Sequence, residues 1–379
     1  MKVLIVFGTR PEAIKMAPII RELRKRRDEL AAKVCVTAQH REMLDEVLRL
    51  FCITPDYDLD VMEENQSPAH VMSGVLNRLE GILQKEKPDW VLVQGDTTTV
   101  AAASMAAFYN RVQIGHVEAG LRTYDKWHPY PEEVNRRIVS ITADLHFAPT
   151  EWARQNLVSE GISKDRILVT GNPVIDALLW VRSRPPSAAT SLCLDRLGLS
   201  TNGKGNRKLA LATAHRRESF GEPLRHICLA LRELATRYQE LQVIYSVHRN
   251  PNVWNPVHEL LGRVSNIVLV PPLNYEAMVH VMKLSSLILT DSGGIQEEAP
   301  SLGVPVLVLR EVTERPEGVE DGTATLVGTE QERIIREASR LLENPSKYAR
   351  LTKAANPYGD GHAAERIVAG LLRWEAAED

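Results

Sequence analysis

Along most of its length the chain alternates short, unbroken Val/Ile/Leu runs with segments of helix length. In the first half the runs are KVLIVFGT (2–9), KVCVTAQ (33–39), DWVLVQGD (89–96), QIGHVEAG (113–120), DLHFAPT (144–150) and RILVTGN (166–172). In the second half they are KLALATAHR (208–216), QVIYSVH (242–248), NIVLVPP (266–272), SLILTDSGG (286–294) and VPVLVLR (304–310). Strands that are apolar throughout, joined by helical connections, belong to parallel sheets covered on both faces. Two such series predict an α/β protein with two Rossmann-like domains. RSRPPSAATS (182–191) and TNGKGNRK (201–208), both crowded with turn residues, mark the break between them. The second series ends near TLVGT (325–329), and the tail HAAERIVAGLLRWEAAE (362–378) has helical spacing.

Composition narrows the classes of function. A length of 379 residues suits about two domains, and 44% apolar with 25% charged residues can build proper cores. The formal charge of -3 provides no overall field to recruit nucleic acid or an anionic membrane. The densest basic run, ELRKRRDEL (22–30), reads as a solvated helix face. Cys35, Cys52, Cys193 and Cys228 are scattered with no Cys-x-x-Cys pair, which argues against a disulfide framework or zinc cluster. No signal-type or membrane-spanning apolar stretch is evident, so the expectation is a cytoplasmic protein.

The stretch TDSGGIQEEAPSLGVPV (290–306) combines a strand end, a Ser/Gly turn and a helix start. Orphan N–H groups and the helix dipole make such a turn an anion site, and Gly293 and Gly294 carry no Cβ to hold a phosphate away. Ser292 lies in the same turn. The first turn, FGTRPEAIK, lacks a G-x-G-x-x-G fingerprint, and no Walker loop occurs, which weighs against a bound dinucleotide and an NTP-driven motor. Arg10 and Lys15 there either hold a diphosphate or, for Lys15, simply face solvent. Asp96 either caps the helix after it or does chemistry. Glu118 ends a strand with no helix to cap, whereas Glu132 either complements a helix dipole or joins the other acids. Gathered around one site, these acids would suit general acid/base work. His215, Arg216 and Arg217 follow a second-half strand, and Arg315 lies in a later loop. Acids in one half and phosphate-binding groups in the other point to a sugar or similar polyol and a nucleoside diphosphate. Glu298 is placed to meet ribose hydroxyls. Glu297, rotated about 100° from it, is expected to meet a structural partner.

GTRPEAIKMAP, QHREMLD, QGDTTT, GHVEAGLRT, PYPEEVNRR, TAHRRES, DSGGIQEEAPSLGVPVLVLR, ERPEG and NPYGDG together resemble the bacterial non-hydrolysing UDP-N-acetylglucosamine 2-epimerases, in order from residue 2 to about 370. The resemblance implies a GT-B fold, with two Rossmann-like parallel-sheet domains facing across a deep cleft. Residues 1–172 would form the acid-lined domain, with helix 362–378 packing back on it, and 173–361 the UDP-binding domain. It implies a homodimer with no metal or other cofactor, a UDP-sugar as partner, and reversible conversion of UDP-GlcNAc to UDP-ManNAc through 2-acetamidoglucal. Carried over by motif, Arg10, His215, Ser292, Gly293, Gly294, Glu298 and Arg315 hold UDP, and Lys15, Asp96, Glu118, Glu132 and His215 are candidates for the chemistry. Gln39, Glu132, Arg216 and His248 match a second, activating UDP-GlcNAc site of many members. Glu42 and Asn65 depart from its pattern, so weaker or absent activation is expected. Leu273 replaces a Gln near the uracil. The other readings are 2-epimerisation of a modified UDP-sugar such as a 2,3-diacetamido hexuronate, a GT-B glycosyltransferase, and a non-catalytic nucleotide-sugar sensor.

Overall fold

The computed structural model describes residues 1–37, 41–61, 66–199 and 208–378. Thirteen strands are found among them: β1 Lys2–Phe7, β2 Ala31–Val36, β3 Tyr57–Asp58, β4 Trp90–Gln94, β5 Gln113–Val117, β6 Leu145–Ala148, β7 Ile167–Val169, β8 Lys208–Thr213, β9 Leu241–Ser246, β10 Ile267–Val270, β11 Leu287–Thr290, β12 Val306–Val308 and β13 Ala324–Leu326. They form a seven-stranded sheet, β3-β2-β1-β4-β5-β6-β7, and a six-stranded sheet, β10-β9-β8-β11-β12-β13. The ladders within both sheets are parallel. Both orders reverse once, beside the first strand of the sheet, as in a doubly wound Rossmann fold. The fold class is therefore the expected one: α/β of GT-B type, with two Rossmann-like parallel-sheet domains.

The chain divides into two compact units, Met1–Ala177 with Tyr358–Asp379, and Leu178–Pro357. The division falls inside helix Pro173–Arg182. In the first unit the apolar runs bury both faces of the sheet, which is why they do not alternate with polar residues. Leu4, Val6, Val91 and Val93 pack with the helices Pro68–Glu86 and Thr98–Tyr109. Fully buried Trp90 meets Trp374 of helix Ala363–Glu378 edge-on, at 6.5 Å between ring centroids. The first N–H groups of that helix find their acceptor far away in sequence: Ala363 and Ala364 donate to the Asp176 carboxylate at 3.2 and 2.9 Å. In the second unit, strands β8, β9 and β11 pack against helices Glu222–Arg237, Pro251–Leu261 and Gln331–Glu343 in one apolar cluster. Among the described residues no helix is long and apolar enough to cross a membrane.

His116 and His146 are in register across β5 and β6 and are fully buried. His116 Nε2 bonds the Gly95 carbonyl at 2.8 Å, while among the described residues neither ring nitrogen of His146 has a hydrogen-bond partner. Burial holds His116 down to about 4 and His146 to about 3. Both are neutral in the fold and titrate near 6.5 once unfolded, so below about 6.5 the unfolded chain binds the extra protons. Stability present above that pH is lost as pH falls towards 4, by about 1.4 kcal/mol per pH unit for each histidine. Urea unfolding at pH 7 and pH 5 is expected to show a lower midpoint at pH 5. His146→Leu should flatten that dependence, and equal slopes in variant and parent would contradict the assignment.

Candidate active site

In open parallel sheets the place for a ligand is beyond the carboxyl ends of the strands where the order reverses, here β1/β4 and β8/β11. Each unit assembles its chemistry at that point. In the first, the turn after β1 leads into helix Arg10–Lys25, with Pro11 in its first turn and a capping box between Thr9 and Glu12. Buried Glu12 accepts from Gly8 N–H at 2.6 Å and Thr9 N–H at 2.8 Å through Oε2. Its Oε1 accepts from the Thr97 hydroxyl at 2.5 Å, tying the β1 turn to the β4 turn. Burial raises the Glu12 carboxyl, against the pull of these hydrogen bonds.

One helical turn on, Lys15 Nζ lies 2.6 and 2.7 Å from the two oxygens of Glu118. The Glu118 side chain is 4% exposed and that of Lys15 15%, so the pair is nearly desolvated. Asn172 Nδ2 donates to Glu118 Oε1 at 3.0 Å and Gln94 Nε2 to Oε2. Glu118 directly follows β5 in left-handed backbone, φ 62°, a conformation uncommon outside glycine. Gly120, with φ 93°, admits no side chain, because a Cβ would stand 2.2 Å from the Ala153 carbonyl oxygen. Asp96, on the turn after β4, is held by Arg136, whose Nε and Nη2 lie 2.9 and 2.7 Å from Oδ2. Glu132 opens helix Glu132–Thr142, on which Arg136 sits one turn later. Buried Glu133 accepts from Thr123 and Tyr124 N–H, both at 3.1 Å, and pairs with Arg136 at 3.1 Å. The structure thus joins Lys15 to Glu118 and links Asp96 to the helix that Glu132 begins. A Cβ on Gly95, the residue before Asp96, would lie 3.8 Å from Glu118 Oε2. Lys15 is not the solvated surface cation that was one reading of it.

In the second unit, His215 and Arg216 follow β8 and the Ser292–Gly294 turn follows β11. Asp291, fully buried, accepts the backbone N–H of His215 at 2.6 Å and of Arg216 at 2.7 Å through Oδ2. His215 Nδ1 faces Asp291 Oδ1 at 3.4 Å, and its ring stacks on His248 at 5.5 Å. Burial lowers the His215 pKa, with His248 and Arg216 acting the same way against the pull of Asp291, so the ring is neutral at neutral pH. Helix Gly293–Glu298 runs on into the 3-10 turn Ala299–Leu302. The Arg315 guanidinium lies against the turn: a Cβ on Gly293 would come within 2.8 Å of its Cζ and Nη1. Glu297 accepts from Arg315 Nε at 2.7 Å, the arginine expected to hold UDP, while Glu298 accepts from the Tyr275 hydroxyl at 2.7 Å. Leu273 is buried. Gln39 and Asn65 lie outside the described residues, as does the side chain of Glu42.

Several groups escaped the sequence reading: Glu12, Gln94, Glu133, Arg136, Asn172 and Asp291. For Glu12 a signal was present, the capping box Thr9-x-x-Glu12. Asp291 directly precedes the Ser/Gly turn, but its partners are 75 and 76 residues away.

A family model described as UDP-N-acetylglucosamine 2-epimerase matches residues 21–372. The chain belongs to the UDP-N-acetylglucosamine 2-epimerase family. It is thereby placed among isomerases. The UDP-N-acetylglucosamine 2-epimerase of Escherichia coli O157:H7 is 54% identical over 374 residues, covering 98% of each chain. The crystal structure of UDP-GlcNAc 2-epimerase from Neisseria meningitidis bound to UDP-GlcNAc shares 50% identity at TM-score 0.89, over 98% of this chain and all of that one. That of Methanocaldococcus jannaschii in complex with UDP-GlcNAc and UDP shares 33% at TM-score 0.81, with coverage of 98% and 100%.

The Lys15–Glu118 pair yields a stability test. Lys15→Met leaves a buried carboxylate without its cation and should cost about 3–5 kcal/mol. Adding Glu118→Gln should recover much of that loss in the melting temperature. Additive losses would mean that the two groups do not depend on each other.

Proposed function

We propose that the chain interconverts UDP-N-acetylglucosamine and UDP-N-acetylmannosamine by inverting C2 of the sugar. The observation that carries this reading is full-length identity of 54% with a relative of that name. The sets of charged residues at the two strand-order reversals support it. The C2 proton has no adjacent carbonyl, so its direct removal would be very costly. If the C1–O bond to UDP breaks as the proton leaves, developing charge at C1 assists. UDP departs as an anion, 2-acetamidoglucal forms, and return of UDP with protonation of the other face inverts C2.

In this scheme Arg10, Ser292, Gly293, Gly294, Arg315 and neutral His215 hold UDP, with Glu298 at the ribose. Donors aimed at the departing diphosphate stabilise charge where it develops. Lys15, Asp96, Glu118 and Glu132, with His215, act at the sugar. Two faces need at least two proton handlers, and the first unit presents three carboxylates. Lys15 and two amides hold the Glu118 carboxyl in place for the part of a base. Gln39, Glu132, Arg216 and His248 are assigned by their motifs to a second UDP-GlcNAc site, whose activation is expected to be weaker or absent in this chain. The product serves cell-envelope polysaccharide synthesis, and the enzyme works in the cytoplasm.

Purified protein given UDP-GlcNAc with no acceptor should produce UDP-ManNAc, seen by its anomeric proton signals, and should reach the same mixture starting from UDP-ManNAc. Glu118→Gln should lower kcat by about 10²–10⁴-fold. An unchanged substrate pool, or free UDP without the epimer, would contradict the assignment.

The enzyme is further proposed to act as a homodimer. Helices Thr98–Tyr109 and Glu132–Thr142 pack side by side and expose Phe108, Tyr109, Val134 and Ile141, the last 83% accessible. An apolar patch of this kind is what a second copy covers. Sedimentation should give a dimer, and Ile141→Glu a monomer; a dimer unaffected by that charge would place the interface elsewhere.

A further inference from the structure

Glu314 stands among three arginines of the second unit. Its Oε2 lies 2.9 Å from Arg315 Nη1, and its Oε1 lies 3.6 Å from both Arg216 Nη1 and Arg310 Nη2. Arg310 also meets Glu218 at 2.8 Å, and Arg315 Nε meets Glu297 at 2.7 Å. The nitrogen that Glu314 engages lies against the phosphate-type turn, since Arg315 Nη1 would be 2.8 Å from a Cβ on Gly293, with Nε at 3.1 Å. Glu297 and Glu314 engage different nitrogens of Arg315. Glu297 holds Nε from within helix Gly293–Glu298 and fixes the guanidinium plane. Glu314 holds the nitrogen beside the turn.

We infer that Glu314 is an internal competitor for the diphosphate. Its carboxylate offers Arg315 the same charge-assisted hydrogen bond that a phosphate oxygen would make. A nucleoside diphosphate that draws on Arg315 has to move Glu314 aside or bind next to its negative charge, and like charges brought together oppose binding. The arginines are thereby kept paired, at the expense of affinity for UDP. In a reversible reaction that detaches and reattaches UDP, a moderated grip allows the nucleotide sugar to leave. Glu314 acts through Arg315 and is a positioning residue; no bond to substrate is assigned to it. The inference rests on the reading of this unit as the UDP-binding one.

The experiment is calorimetric titration of the full-length protein, Glu314→Gln and Glu314→Asp with UDP and with uridine. Glu314→Gln should bind UDP about three- to tenfold more tightly, with uridine affinity unchanged, because only the diphosphate meets the removed charge. Glu314→Asp, which withdraws the carboxylate by one methylene, should shift UDP affinity the same way by less. It gives the same readout if the glutamine variant does not fold. A residue that merely orients Arg315 would weaken UDP binding when altered. Unchanged or weaker UDP binding in a variant of parental melting temperature overturns the inference. Absence of UDP binding by the parent protein overturns the underlying reading as well.

Discussion

Both sheets depend on the same device, a buried carboxylate that gathers backbone N–H groups at the reversal of strand order. Glu12 accepts Gly8 and Thr9 after β1 and takes the Thr97 hydroxyl from the turn after β4. Asp291, after β11, accepts His215 and Arg216 after β8. Buried N–H groups at strand ends need acceptors, and these carboxyl oxygens supply them. The turns are thereby fixed, and with them Arg10 and Lys15 in one unit and His215, Arg216 and Ser292 in the other. In each unit the turn geometry comes from the backbone, and the side chains are added to it.

The placement of Glu118 extends the same logic. Its left-handed φ of 62° is backbone strain of a kind found at functional positions, and it persists because the surroundings over-determine it. Lys15, Gln94 and Asn172 all contribute to that constraint. A carboxylate so held is oriented and poorly solvated, two properties that suit the proton acceptor proposed for this reaction.

Most of the architecture could be read from the sequence because parallel strands buried on both faces leave unbroken apolar runs. The two-residue strand β3, Tyr57–Asp58, leaves no such run and is not legible. Strand order was not legible, since the crossovers that set it carry no local mark. Within the candidate site, legibility followed sequence distance. The Ser292–Gly294 turn and the acids at strand ends are local patterns. The partners are not: Asp96 and Arg136 are 40 residues apart, and Lys15 and Glu118 are 103 apart. A lysine on a helix reads as solvated until the fold brings a carboxylate to it. The Thr9–Glu12 capping box is a local pattern too, but it does not show that the same carboxyl reaches Thr97, 85 residues away.

The measurement that bears most directly on the account is proton NMR of the reaction in D₂O, with UDP-GlcNAc as sole substrate. Removal of the C2 proton by a carboxylate and return from solvent on the other face require deuterium at C2 of the UDP-ManNAc formed. UDP-ManNAc that keeps its original C2 proton would contradict proton removal and with it the roles given to Glu118 and its neighbours.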